Sequence, residues 1–178
     1  MSRSAILQLH QDALQFSAGH FTILSPTERE DLHGHNYSVS AKFEVLIHHN
    51  GMAFDYRLYK QKLNELAAQL DRRFLLPSQS PYLRIEDTGE FWIAHFNNEK
   101  IPFLKRDIVI LPISNVTIEE LSYWFLQQLT LDNSELLQNQ IQNITIQVYN
   151  GPSQSGASYW EQEQGILQPA KSTLVSCA

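Results

Sequence analysis

Cysteine is nearly missing from this chain: the 178 residues contain one, Cys177. A single cysteine forms no internal disulfide, so the fold does not depend on an oxidising compartment. Beside the chain end, that thiol reads as incidental. Positive charge is also short. Thirteen Lys and Arg stand against nineteen Asp and Glu, giving a net charge of −6 and a pI near 5.6. With no basic block, this balance excludes a general nucleic-acid binder, though not a local cationic pocket. No apolar run approaches the ~20 residues that span a membrane. In the first twenty residues, Gln8, His10, Gln11, Asp12 and Gln15 fall where a secretory leader needs an apolar core. The expectation is a cytoplasmic protein with no nucleic-acid or membrane partner. There is no repeat at a fixed period. The length fits one domain over 1–178, large enough to bury a core.

Alternation is what the chain does have. Leu14, Phe16, Ala18 and His20 share one parity, as do His33, His35, Tyr37, Val39, Ala41, Phe43 and Val45. Side chains alternate faces along a strand, so each segment turns its histidines to its apolar face. A His-Gly-His triplet alone is weak evidence, since two polar loop residues explain it. A second apolar stripe that also ends in histidine strengthens the case. Three imidazoles can hold a zinc ion and leave one position open for water or substrate.

Further along, the first strand is expected near Ile6 to His20, a loop over 21–31, and the second strand from about His33 to Ile47. His48-His49-Asn50-Gly51 reads as a solvated hairpin connection, because Asn-Gly accepts positive φ. Asp55 can cap a helix from about Tyr56, with Tyr59, Leu63, Leu66 and Leu70 on its apolar face. Asp71-Arg72-Arg73 ends it, and Leu76 to Pro81 is expected as loop. Leu83 to Phe96 reads as a hairpin turning at Asp87-Thr88-Gly89, part of an insertion near 83–106. Phe91, Trp92 and Phe96 there would cover a core or a subunit contact. Asp107 to Ile113 is a short strand. Thr117 and Glu120 fit a capping box for a second helix carrying Ile118, Leu121, Phe125 and Leu129. A last strand holds Ile144, Ile146 and Val148 and runs to Asn150-Gly151-Pro152. The tail after about Gln162 is polar and expected to be loose. These elements form an α+β arrangement, an antiparallel sheet with two helices on one face.

Phe16-Ser17-Ala18-Gly19-His20 followed by Leu32-His33-Gly34-His35-Asn36-Tyr37 resembles the 6-pyruvoyl-tetrahydropterin synthase / 6-carboxytetrahydropterin synthase family. Gly51-Met52-Ala53-Phe54-Asp55-Tyr56, Leu70-Asp71 and Asn115-Val116-Thr117-Ile118-Glu119 extend the likeness from about residue 10 to 160. The resemblance implies the tunnelling fold, whose subunits join their sheets into a barrel as trimers or hexamers, with active sites between neighbouring subunits. It also implies a zinc-dependent carbon–oxygen lyase acting on the side chain of 7,8-dihydroneopterin triphosphate. His20, His33 and His35 would be the zinc ligands, and Thr117 and Glu119 would line the substrate pocket.

Three positions depart from the family's usual pattern. Most members carry a cysteine base shortly before His-Gly-His. Here Glu30 precedes His33 by three residues, which resembles the branch with glutamate in that role. That branch is associated with folate synthesis and releases 6-hydroxymethyl-7,8-dihydropterin. Glu28, Arg29, Glu30 and Asp31 also read as an ordinary solvated charge run. Asp71 matches an acid of a catalytic Asp-His pair, but Arg72 replaces the histidine. Arginine cannot act as a base. It could bind phosphate, or simply end the helix favourably. Asn150 stands where the family has a glutamate that accepts from the pterin ring. Two other outcomes stay open: a 6-pyruvoyl or 6-carboxy product, as in biopterin- or queuosine-type pathways, or a non-catalytic zinc- and pterin-binding paralogue.

Overall fold

The two alternating segments form the centre of the sheet. In the computed structural model, which describes residues 3–162 and 168–169, β1 (Arg3–His20) and β2 (His33–Ile47) pair antiparallel. Their inward residues are buried as the alternation requires: Leu14, Phe16 and Ala18 on β1, and Tyr37, Val39, Ala41, Phe43 and Val45 on β2, are each at most 4% exposed. The register shifts between His10 and Gln15, so β1 carries a bulge midway.

On one side of this pair lie β8 (Ile141–Asn150), then β9 (Gln154–Glu161) and the short β10 (Gln168–Pro169), all antiparallel. On the other lie β3 (Arg73–Pro77) and β7 (Ile108–Leu111). The order is β10-β9-β8-β2-β1-β3-β7. Both β1–β3 and β3–β7 are parallel. The antiparallel sheet therefore has a parallel edge, which strand alternation alone could not reveal.

Helices α1 (Arg57–Leu70) and α2 (Ile118–Thr130) pack into one core with the inward residues of the sheet. α1 buries Tyr59, Leu63, Ala67 and Leu70. Ala67, not the expected Leu66, completes its inner face; Leu66 packs at the margin. The expected Asp55 cap is displaced by one residue: Tyr56 is the cap position and offers no side-chain bond, while the Asp55 carboxylate before it accepts from the Arg57 N–H at 3.1 Å. Thr117 caps α2 by accepting from Glu120 N–H at 3.3 Å. The Glu120 carboxylate reaches past the cap to Ser114 N–H at 2.9 Å, so the box is only half formed. A third helix, α3 (Asn133–Gln138), adds one turn and a half capped by Asp132.

Several expectations need correction. Leu76 and Pro77 belong to β3, not to a loop. The hairpin at Leu83–Phe96 forms as expected, β4 (Leu83–Asp87) and β5 (Phe91–Phe96) turning through Gly89, but a third strand, β6 (Glu99–Leu104), extends it into a three-stranded sheet. The turn at His48 to Gly51 forms, with Gly51 at φ +80°, but it leads into the segment before α1 and not into a partner strand. The strand ending at Asn150 is followed by β9, which pairs with it from Asn143 to Asn150. Phe96 is buried in a second core with Phe21, Leu76, Leu83 and Ala94, while Phe91 remains exposed. Cys177 and nearly all of the tail after Gln162 lie outside the described residues. No described helix is long and apolar enough to cross a membrane.

Candidate metal centre and active site

The β1–β2 register brings the three histidines together. His20 sits directly across from His33, and Ala18 across from His35. Residues directly opposite and residues two further along a partner strand share a face within side-chain reach. The ring centroids are accordingly 4.5 Å (His20–His33), 5.2 Å (His20–His35) and 4.7 Å (His33–His35) apart. One nitrogen from each ring lies within 4.8 Å of the other two. The glycine between His33 and His35 lets the strands close: a Cβ on Gly34 would stand 3.1 Å from the Ala18 carbonyl oxygen.

Backbone carbonyls aim two of the rings. His20 Nδ1 lies 3.0 Å from the Val116 oxygen, and His33 Nδ1 lies 2.7 Å from the Asp31 oxygen. A carbonyl only accepts, so each Nδ1 carries the proton and each Nε2 keeps its lone pair. This is the arrangement that fixes a metal-ligating tautomer. His20 Nε2 is buried and has no hydrogen-bond partner among the described residues. A buried polar atom left unpaired is costly, and a metal ion would satisfy it. Burial, and then the neighbouring His33 and His35, push the His20 pKa down to about 4. Burial followed by His33 also lowers that of His35. Both shifts favour the neutral ring, the form in which histidine binds a metal. On these grounds the three residues fit a metal ion.

Around them the pocket is lined by Thr22, Glu30, Tyr37, Val116, Thr117, Glu119, Asn150 and Gln154, and encloses about 170 Å³. Glu30 Oε2 accepts from Thr22 N–H at 3.0 Å and lies 3.8 Å from His33 Nε2. Thr22, through its hydroxyl and then its backbone, holds the Glu30 carboxyl below the usual range. Glu30 is therefore ionised at neutral pH. Burial, with Glu30 nearby, pushes the Tyr37 phenol up, so it stays protonated. Thr117 and Glu119 enter from the start of α2, and Asn150 from the end of β8.

Asp71 and Arg72 are not brought to this pocket. They follow α1 beside the opposite face of β1 and β2. There Ser17, Gly19, Gly34, Asn36, Arg72 and Phe74 help line a second cavity of about 460 Å³, which shares His35 with the metal pocket. The Asp71 carboxylate accepts from Ser17 N–H at 2.9 Å and from Arg72 Nε at 3.2 Å. Arg72 has φ +57°, and its side chain is 88% exposed.

Sequence reasoning missed Thr22, Tyr37 and Gln154 as pocket residues. Tyr37 lay in the inward stripe and carried that signal. Gln154 arrives because β9 pairs it with Asn150, and Thr22 because the 21–31 segment doubles back on itself.

The sheet order, the two helices on one face and the solved relatives below make this the α+β tunnelling fold. The chain belongs to the 6-pyruvoyl tetrahydropterin synthase family, whose pattern matches residues 11–162. The crystal structure of 6-pyruvoyl tetrahydropterin synthase from Plasmodium vivax superposes with a TM-score of 0.84 at 30% identity, covering 89% of this chain and 99% of that one. Two further structures of the P. vivax protein carry alanine or cysteine in place of a glutamate described as its catalytic residue. The Plasmodium falciparum synthase gives a TM-score of 0.83 at 30% identity, covering 89% of this chain and 98% of that one. A Pyrococcus horikoshii protein provisionally named 6-carboxy-5,6,7,8-tetrahydropterin synthase is 25% identical over 139 residues, 78% of this chain and 81% of its own length.

Proposed function

We propose that this protein is a zinc-dependent pterin synthase that acts on the side chain of 7,8-dihydroneopterin triphosphate and releases 6-hydroxymethyl-7,8-dihydropterin for folate synthesis. The observation that carries this reading is Glu30: an ionised carboxylate 3.8 Å from a histidine of the metal trio. A glutamate described as catalytic in the similar P. vivax synthase supports it.

His20, His33 and His35 would hold the zinc. When bound, it supplies positive charge that polarises the substrate's side-chain hydroxyls. Glu30 takes a proton from that side chain and returns it, held in place by the Thr22 N–H. Tyr37 remains a neutral donor beside the reacting atoms. Asn150 and Gln154 offer amides to the ring edge, and Glu119 offers the pocket's second carboxylate. We assign the active enzyme to a homo-oligomer, a trimer or hexamer, in which Asp71 and Arg72 of one subunit meet the metal pocket of the next. Their place on the opposite sheet face suits such a contact. Arg72, freely exposed, would then meet the triphosphate. We take 1–178 as one cytoplasmic domain with an insertion near 83–106.

A 6-carboxy product is the second reading, favoured by the name of the P. horikoshii relative. Metal analysis of the purified protein, followed by turnover of 7,8-dihydroneopterin triphosphate, tests both. About one zinc per chain and a hydroxymethyl product are expected. A carboxy product would favour the second reading. A metal-free protein from a chelator-free preparation would contradict the three-histidine assignment.

A further inference from the structure

The segment that carries Glu30 is fastened from three sides. It doubles back on itself, with an isolated bridge between Ile23 and Arg29 and a bond from Glu30 N–H to the Thr22 oxygen at 2.9 Å. On one flank Asn115 accepts from Ile23 N–H and donates to the Ile23 oxygen. On the other flank stands Arg29. Its side chain is only 15% exposed, although it sits in a run of four charged residues.

Arg29 divides its donors between two targets. Nε and Nη2 both reach Glu99 Oε2, the former at 2.8 Å. Nη1 donates to the backbone oxygen of Glu30 at 2.8 Å. The guanidinium also lies over the Phe21 ring, 5.3 Å from its centroid, and Phe21 belongs to the core shared with Leu83, Ala94 and Phe96. Glu99 opens β6 of the three-stranded sheet. A planar, fixed fork suits such a double contact, and lysine could not make both arms at once. One side chain thus joins the three-stranded sheet to the peptide unit that carries Glu30.

We infer that the Arg29–Glu99 ion pair positions the Glu30 carboxylate, which makes the three-stranded sheet of residues 83–104 a working part of the metal pocket. Arg29 and Glu99 are positioning residues and touch no reacting atom. The inference rests on the reading of Glu30 as the base. Small displacements of a positioned group lower turnover more than binding.

The test compares Glu99→Ala, Glu30→Ala and the double variant in zinc-loaded protein, with kcat, KM and zinc content measured on 7,8-dihydroneopterin triphosphate. Glu99→Ala is expected to lower kcat by about tenfold to a hundredfold, with KM within about twofold and zinc retained. In the Glu30→Ala background the same substitution should cost nothing more. An equal loss in both backgrounds, or a wild-type kcat in Glu99→Ala, would overturn the inference. Glu99→Gln, which keeps an acceptor, should recover part of the loss. Amide hydrogen exchange reads the clamp without substrate. Peptides covering 21–31 should exchange faster in Glu99→Ala, while those covering β2 stay protected. Unchanged exchange there sinks the clamp. Full turnover in Glu30→Ala would instead sink the assignment of the base, and exchange would still judge the clamp.

Discussion

At the residue scale, the proposed chemistry rests most on the three histidines, which are grouped to hold a metal ion. His20 is the most buried of the three and holds the orphaned Nε2. Replacing it by alanine should bring the metal content from about one per chain to near zero, measured by elemental analysis. His48→Ala, in the exposed turn after β2, should leave it unchanged. Retained metal in His20→Ala would move the site elsewhere. All three ligand candidates were legible in the sequence, because parity alone placed each at the end of a buried stripe. Glu30 was legible only through resemblance. Within Glu28-Arg29-Glu30-Asp31 nothing in the run separates a base from solvated charge, and what singles it out is the bond from Thr22, made only because the segment folds back on itself. Arg29 was hidden for the same reason: its partner lies seventy residues away.

The pocket depends on one close approach between elements. β9 passes so near the start of α2 that a Cβ on Gly156 would stand 2.8 Å from the Glu119 nitrogen and the Ile118 carbonyl carbon. Backbone on both sides cannot yield cheaply. Gly156→Ala should therefore destabilise the protein by about 1–3 kcal/mol, read by chemical denaturation, and displace Glu119 from the pocket. An unchanged midpoint would show that α2 can shift freely. This same strand was illegible in the sequence. Its inward residues are Gly156, Ser158 and Trp160, so no apolar stripe marks it. β3 was missed for the opposite reason. Leu75 faces the main core and Leu76 the second one, and a strand buried on both faces shows a continuous run, not alternation. β1 and β2, each with one side in the main core, were legible nearly to their ends.

At the scale of the whole molecule, the sheet has the metal pocket on one face, and Arg72 lines a cavity beside the other, next to Asp71. If neighbouring subunits bring these together, two inactive variants should repair each other. Mixed oligomers formed by co-refolding Glu30→Ala with Asp71→Ala should regain about a third of wild-type turnover in a trimer, since some interfaces then pair two intact halves. Activity no higher than that of either variant alone would place Asp71 outside the site. Metal removal should also lower thermal stability, because an ion bound only by the folded state adds to it. Of this assembly nothing was legible in strand pattern or charge; only the family resemblance spoke to it. Whether zinc at the three histidines acts with Glu30 to cut a pterin side chain is decided by product analysis, by liquid chromatography with mass detection, of wild type and Glu30→Ala at equal zinc content. 6-Hydroxymethyl-7,8-dihydropterin from the wild type, and 7,8-dihydroneopterin triphosphate with only a residual trace of product from Glu30→Ala, is the predicted result. Intact substrate from both, or equal product from both, would contradict it.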